Sequence, residues 1–188
     1  MTLQLSKGKT LNLTKSASNI LSAITLAASW DGDADIDIAA LLKKDGQPVT
    51  GAMQGSLIAY PMNFADGGWT VDHCEYSGDA RDGSADGYDE EIKMDLTAVD
   101  ADEIILGVTS YSSGAPVTFG ATENPTAFIV DQNGNELVKI ELDSDAAFGT
   151  AFKLAKLSKN ESGEWVLENI NEQIGASANG LQDFIDAV

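Results

Sequence analysis

Apolar side chains recur at every second position in short runs broken by turn residues, from the first residues almost to the end, and helical spacing emerges only in the last ten. A period of two sends successive side chains to opposite faces of an extended backbone, so it selects strands over helices. Leu3 and Leu5, the Lys7-Gly8-Lys9 turn, then Leu11 and Leu13 predict an opening hairpin. Further strands are expected at Ala23–Ser29, Ile36–Leu42, Ser56–Tyr60, Thr70–Tyr76, Glu90–Leu96, Ile104–Thr109, Ala127–Asp131, Leu137–Leu142, Ala151–Ser158 and Trp165–Ile170. Turn signals fall between them at Asp45-Gly46, Asp66-Gly67-Gly68, Asn133-Gly134 and Ser162-Gly163. So many short strands predict an all-β fold, a two-sheet sandwich. Leu181, Phe184 and Ile185 follow Gly180 at i, i+3, i+4 spacing and predict a short C-terminal helix. No linker divides residues 1–188, so one domain is expected.

Charge narrows the partners. Thirty acids against 11 bases give a net charge of −19, which repels nucleic-acid phosphates and anionic lipid. With no apolar run of membrane length, no leader-like opening and Cys74 as the lone cysteine, a cytoplasmic protein without direct membrane insertion is expected.

The acids are clustered rather than spread. Residues 31 to 37 hold four Asp, and an extended backbone would send Asp33, Asp35 and Asp37 to one face, with Ala34, Ile36 and Ile38 on the other. Ala39 to Leu42 are apolar on both faces, so the strand is expected to run acid-side-out at a rim and then inward. Neighbouring same-face carboxylates about 6 to 7 Å apart repel by roughly 2 to 3 kcal/mol at an effective dielectric of about 20, a cost that exposure reduces and that a cation or a few basic residues would neutralise.

The second cluster, SGDARDGSADGYDEE at 77–91, puts six acids, three glycines and one base in fifteen positions. Acids every three or four residues, with glycines between, suit calcium, which takes six to eight oxygens on a tightly curved loop. Asp82, Ser84 and Asp86 followed by Gly87 match the first half of an EF-hand loop, but the twelfth position is Lys93 and a strand follows. The pattern therefore reads as a calcium loop of another kind, closed by Asp89 and Glu90. Magnesium prefers fewer protein ligands, and His73 with Cys74 makes a poor zinc pair.

Taken together, LQLSKGKTLNLTK, Trp30-Asp31 with Asp35-Ile-Asp37, the acidic segment 77–96, Val99–Thr109, NPTAFIVD, Gly163-Glu164-Trp165 and Gly180-Leu181 resemble the TerD family of tellurite-resistance and stress-response proteins. The family pattern GDNxTGxGxGDDE lies over residues 78 to 90 without a gap, differing at Ala80, Asp82, Ala85 and Tyr88. The resemblance implies a calcium-binding β-sandwich in which Gly78, Asp79, Gly83, Asp86, Gly87, Asp89 and Glu90, with Asp31, Asp35 and Asp37, enclose one or two calcium ions. Asp82 stands where an oxygen would replace one lost from the pattern. It implies a non-enzymatic protein acting through calcium-dependent contacts with other proteins, membrane-bound tellurite-resistance components among them. Two other readings compete: a glycosidase-like hydrolase using Asp37 with Glu90, and a calcium-dependent membrane-docking module.

Overall fold

The computed structural model describes residues 7–12, 21–60 and 70–188. Its strands are β1 (Thr10–Asn12), β2 (Ala23–Asp31), β3 (Asp35–Lys44), β4 (Gln47–Pro48), β5 (Leu57–Ile58), β6 (Cys74–Tyr76), β7 (Glu90–Asp95), β8 (Glu103–Tyr111), β9 (Glu123–Asp131), β10 (Glu136–Glu141), β11 (Ala151–Lys159) and β12 (Trp165–Gly175). A short helical turn spans Leu142–Asp145, and the expected C-terminal helix spans Gly180–Ala187. One sheet has the order β1-β12-β11-β8-β3-β4, with β5 also on β3, and the other runs β10-β9-β2-β7-β6. All described pairings are antiparallel. The expected sandwich is therefore present.

Strand periodicity builds the core directly. Ile36, Ile38, Ala40 and Leu42 of β3 meet Leu26, Ile92, Met94 and Ile129 of the opposite sheet. The alternate residues Ala39 and Leu41 pack under Leu181 and Phe184 of the C-terminal helix, which explains why residues 39 to 42 are apolar on both faces. That helix approaches closely because β8 carries Gly107 there: a Cβ would fall 2.3 Å from the Phe184 ring. Asn179 caps the helix, its side chain accepting from the Gln182 N–H.

Turn chemistry falls where expected. Asp45 and Gly46 both have positive φ, 51° and 76°, and join β3 to β4. Two runs are shorter than the sequence predicts. The strand within Ser56–Tyr60 spans Leu57–Ile58, and His73, at φ 67°, confines the next strand to Cys74–Tyr76. The last strand is longer and reaches Gly175, past Asn171 at φ 49° and register shifts between β11 and β12. Of the opening hairpin, β1 is described and pairs with β12; Leu3, Leu5 and Leu13 lie outside the described residues, as does the Asp66-Gly67-Gly68 turn.

For the site, the decisive feature is the edge of β3. β4 and β5 pair with β3 at residues 40, 41, 43 and 44, so among the described residues Asp35 to Ala39 have a strand partner on one side alone, β8. The acidic segment bears on that edge through Asp79, between β6 and β7, and through Glu90, the first residue of β7.

Candidate metal centre

Asp35 and Asp37 point from the same face of β3, and Asp79 approaches from the acidic segment. One carboxylate oxygen from each of the three lies within 4.8 Å of the others. The sequence expectation that β3 runs acid-side-out fails at Asp37, which is only 5% exposed. Alternation sets which face a side chain takes, whereas here a segment some forty residues away covers that face.

The electrostatics are those of an uncompensated cluster. Burial pushes the Asp35 carboxyl up to about 6, Asp79 adding to the shift and Arg81 opposing it. Asp37 is held well above the usual carboxylate range by burial first, then by Asp35 and Asp79. Asp35 Oδ1 is buried without a hydrogen bond, as is the hydroxyl of Thr109, the cross-strand partner of Asp37. The nearby base is Arg81, the sole arginine of the chain. Its Nε donates to Asp79 at 3.0 Å while the side chain remains largely exposed.

The other acids singled out in the sequence do different things. Asp89 accepts from the Trp30 N–H at 3.0 Å through Oδ2 and from the Ala85 N–H at 3.0 Å through Oδ1. Glu90, fully buried, accepts from the Ala80 N–H at 2.9 Å through Oε1. Its Oε2 accepts from the Ile38 N–H at 3.1 Å and the Tyr76 hydroxyl at 3.2 Å. Burial and then Asp37 push the Glu90 carboxyl up, against the pull of these three bonds, and burial drives the Tyr76 phenol far above its ordinary value. Asp31 is exposed and accepts from the Asn124 side-chain amide at 2.7 Å. Asp82 and Asp86 are exposed on the loop, outside the close triad.

Glycine is required at one of the loop positions. Gly83 donates its N–H to the Gly32 carbonyl at 2.9 Å, and a Cβ there would fall 2.2 Å from the Trp30 carbonyl oxygen. Trp30 in turn is buried and donates its indole N–H to the Ala34 carbonyl, which stiffens the entry to β3. Gly78 and Gly87 take φ of 100° and 123°, a region that disfavours other residues.

Sequence reasoning missed Tyr76, Thr109 and the role of Arg81. The single base in an acidic stretch was a usable signal for Arg81; nothing in the alternation around Tyr76 or Thr109 marks them. His73 is exposed in a turn, and Cys74 packs against the core with its thiol pushed up to about 12, so it stays protonated at neutral pH.

The donor set is all carboxylate oxygen, which suits a hard cation over zinc or copper. Oxygens within 4.8 Å of one another are close enough to share one ion held at about 2.4 Å.

The arrangement has relatives. The TerD domain model matches residues 1–187. The chain belongs to the TerD family. This TerD-family chain is 30% identical over 182 residues to the tellurium resistance protein TerD of Serratia marcescens, covering 92% of this chain and 91% of that one. It is 33% identical over 177 residues to general stress protein 16U of Bacillus subtilis (strain 168), covering 88% and 87%. A crystal structure of a homologue of telluride resistance protein (TerD) from Streptomyces coelicolor A3(2) superposes with a TM-score of 0.67 at 20% identity, covering 84% of this chain and 92% of that one, and so shares the fold. None of these proteins carries an enzyme's name. Among the described residues, no helix is long and apolar enough to cross a membrane.

Proposed function

We propose that this chain is a calcium-binding, non-enzymatic protein of tellurium resistance or general stress, in which Asp35, Asp37 and Asp79 hold the ion. One observation carries the reading: the Asp37 carboxylate is almost wholly buried, faces Asp35 and Asp79, and accepts no hydrogen bond from a described residue. A buried charge without a partner costs several kcal/mol, and a divalent cation is the simplest compensation. Asp35 Oδ1, buried and unpartnered, supports the same assignment.

Bound calcium would supply two positive charges among three carboxylates. The chain's own contribution is to present two oxygens from a strand and one from a loop, so that occupancy ties residues 77–89 to β3. Arg81 Nε, now on Asp79, would be released toward solvent, changing the charge of the rim that other proteins meet. Such partners would include membrane-bound tellurite-resistance components, in a cytoplasmic setting suited to a lone, protonated thiol. An acid–base pair of Asp37 with Glu90 is disfavoured, because Glu90 is fully buried and already capped by three donors.

The test is a pair of thermal melts, in excess calcium and in chelator. Calcium at about 100 times its dissociation constant is expected to add about 2.7 kcal/mol. Superimposable melts would remove the proposal.

A further inference from the structure

We propose that Asp89 and Glu90 are positioning residues rather than calcium ligands, a paired clamp that holds the acidic loop and its Asp79 against β3. The inference rests on the calcium reading for what is positioned. The clamp itself rests on hydrogen bonds alone.

Both side chains divide their oxygens in the same way. Asp89 gives Oδ1 to the loop backbone at Ala85 and Oδ2 to the strand backbone at Trp30. Glu90 gives Oε1 to the loop backbone at Ala80 and Oε2 to the strand backbone at Ile38. Trp30 belongs to β2 in the five-stranded sheet and Ile38 to β3 in the seven-stranded sheet, so two adjacent acids pin one loop to both layers. The Ile38 N–H lies in the stretch of β3 that no described strand pairs on that side, and Glu90 supplies the missing acceptor. Tyr76, on the neighbouring strand β6, donates to the same oxygen and fixes the side chain.

This geometry separates two roles that look alike in the sequence. Within the triad Asp35 Oδ1 is buried without a partner and, among the described residues, Asp79 accepts only from the exposed Arg81 side chain, whereas every oxygen of Asp89 and Glu90 already accepts a backbone N–H. The clamped Ala80 directly follows Asp79, so the Glu90 bond to its N–H sets where the third triad oxygen sits.

The test compares Asp89→Asn, Glu90→Gln and Asp37→Asn in the full chain, by amide hydrogen exchange in chelator and by calcium calorimetry. Asp89→Asn is expected to speed exchange at Ala85 and Trp30, and Glu90→Gln at Ala80 and Ile38, each by about tenfold. Both should still take up calcium with the wild-type stoichiometry and roughly tenfold weaker affinity. Asp37→Asn should abolish uptake while leaving those amides protected. Unchanged protection at the named amides overturns the clamp, and complete loss of calcium uptake in Glu90→Gln or Asp89→Asn overturns its separation from ligation. If the wild type itself takes up no calcium, the proposed function fails while the exchange pattern still decides the clamp. Should Glu90→Gln not fold, Tyr76→Phe keeps every carboxylate and is expected to speed Ile38 exchange about threefold; no change there counts against the clamp.

Discussion

Asp37→Asn is the substitution whose sign separates this account from an ordinary buried polar network. In such a network, removing a buried carboxylate destabilises the protein, because its donors lose their acceptor. Here Asp37 has no donor to abandon among the described residues and two like charges within 4.8 Å. At an effective dielectric of about 20, each pair of full charges at that separation repels by about 3.5 kcal/mol. Part is already relieved, since Asp35 and Asp37 both hold protons above their usual range. An asparagine also brings N–H donors beside Asp35 Oδ1, which has none. The net expectation in chelator is a gain of about 1 to 3 kcal/mol, or a Tm raised by roughly 2 to 12 °C for a chain of this size. Excess calcium should then leave the variant's melt unmoved while raising that of the wild type. Calorimetric melting of both proteins, each in chelator and in calcium, reads all four values. A variant less stable than wild type in chelator would refute the argument that the site is an uncompensated charge cluster.

Other consequences follow from the same geometry. Gly83→Ala would place a methyl 2.2 Å from the Trp30 carbonyl, so it should cost about 1 to 3 kcal/mol in chemical denaturation; a neutral effect would mean that the loop does not rest on Trp30. Arg81→Gln removes the guanidinium that occupies Asp79, and a calcium titration should show tighter binding; weaker binding would show that Arg81 supports the loaded state. In chelator the protein should become more stable on acidification. The carboxyl of Asp35, flanked by Asp37, Asp79 and Arg81, is raised to about 6, and those of Asp37 and Glu90 are raised too. Groups that bind protons more tightly folded than unfolded add stability as pH falls from above their folded values toward about 4, the unfolded carboxylate range. For half-buried Asp35 that gain, discounted for screening, is on the order of 1 kcal/mol. Urea denaturation at about pH 5 and about pH 7.5 checks the trend, and greater stability at the higher value would contradict it.

Legibility differed between strand and site for a physical reason. Sequence pattern located β2, β3, β7, β8, β9, β10, β11 and β12 to within a few residues, because burial of one face imposes alternation on strands such as β7 and β10, while β3 and β8, buried on both faces, read as apolar runs bounded by turns. It overestimated β5 and β6, where the regular strand is shorter than the composition suggests, and it stopped short on β12, where Asn171 and a bulge interrupt the alternation. At the site, the sequence identified both acidic stretches and their meeting, since Asp35, Asp37 and Asp79 do converge. It could not sort the acids. Asp79, Asp86, Asp89 and Glu90 share a residue class and a loop, yet one joins the triad, one is exposed and two bond backbone N–H groups. That sorting depends on which strand lies opposite, and a strand's own sequence carries no record of what packs across its edge.

The most direct measurement is calcium titration by isothermal calorimetry into dialysed protein, comparing wild type with Asp79→Asn and Asp86→Asn. The account predicts saturable uptake by the wild type, retained in Asp86→Asn, with uptake at the triad lost in Asp79→Asn. No uptake by the wild type, or loss on replacing Asp86 with Asp79 dispensable, would contradict it.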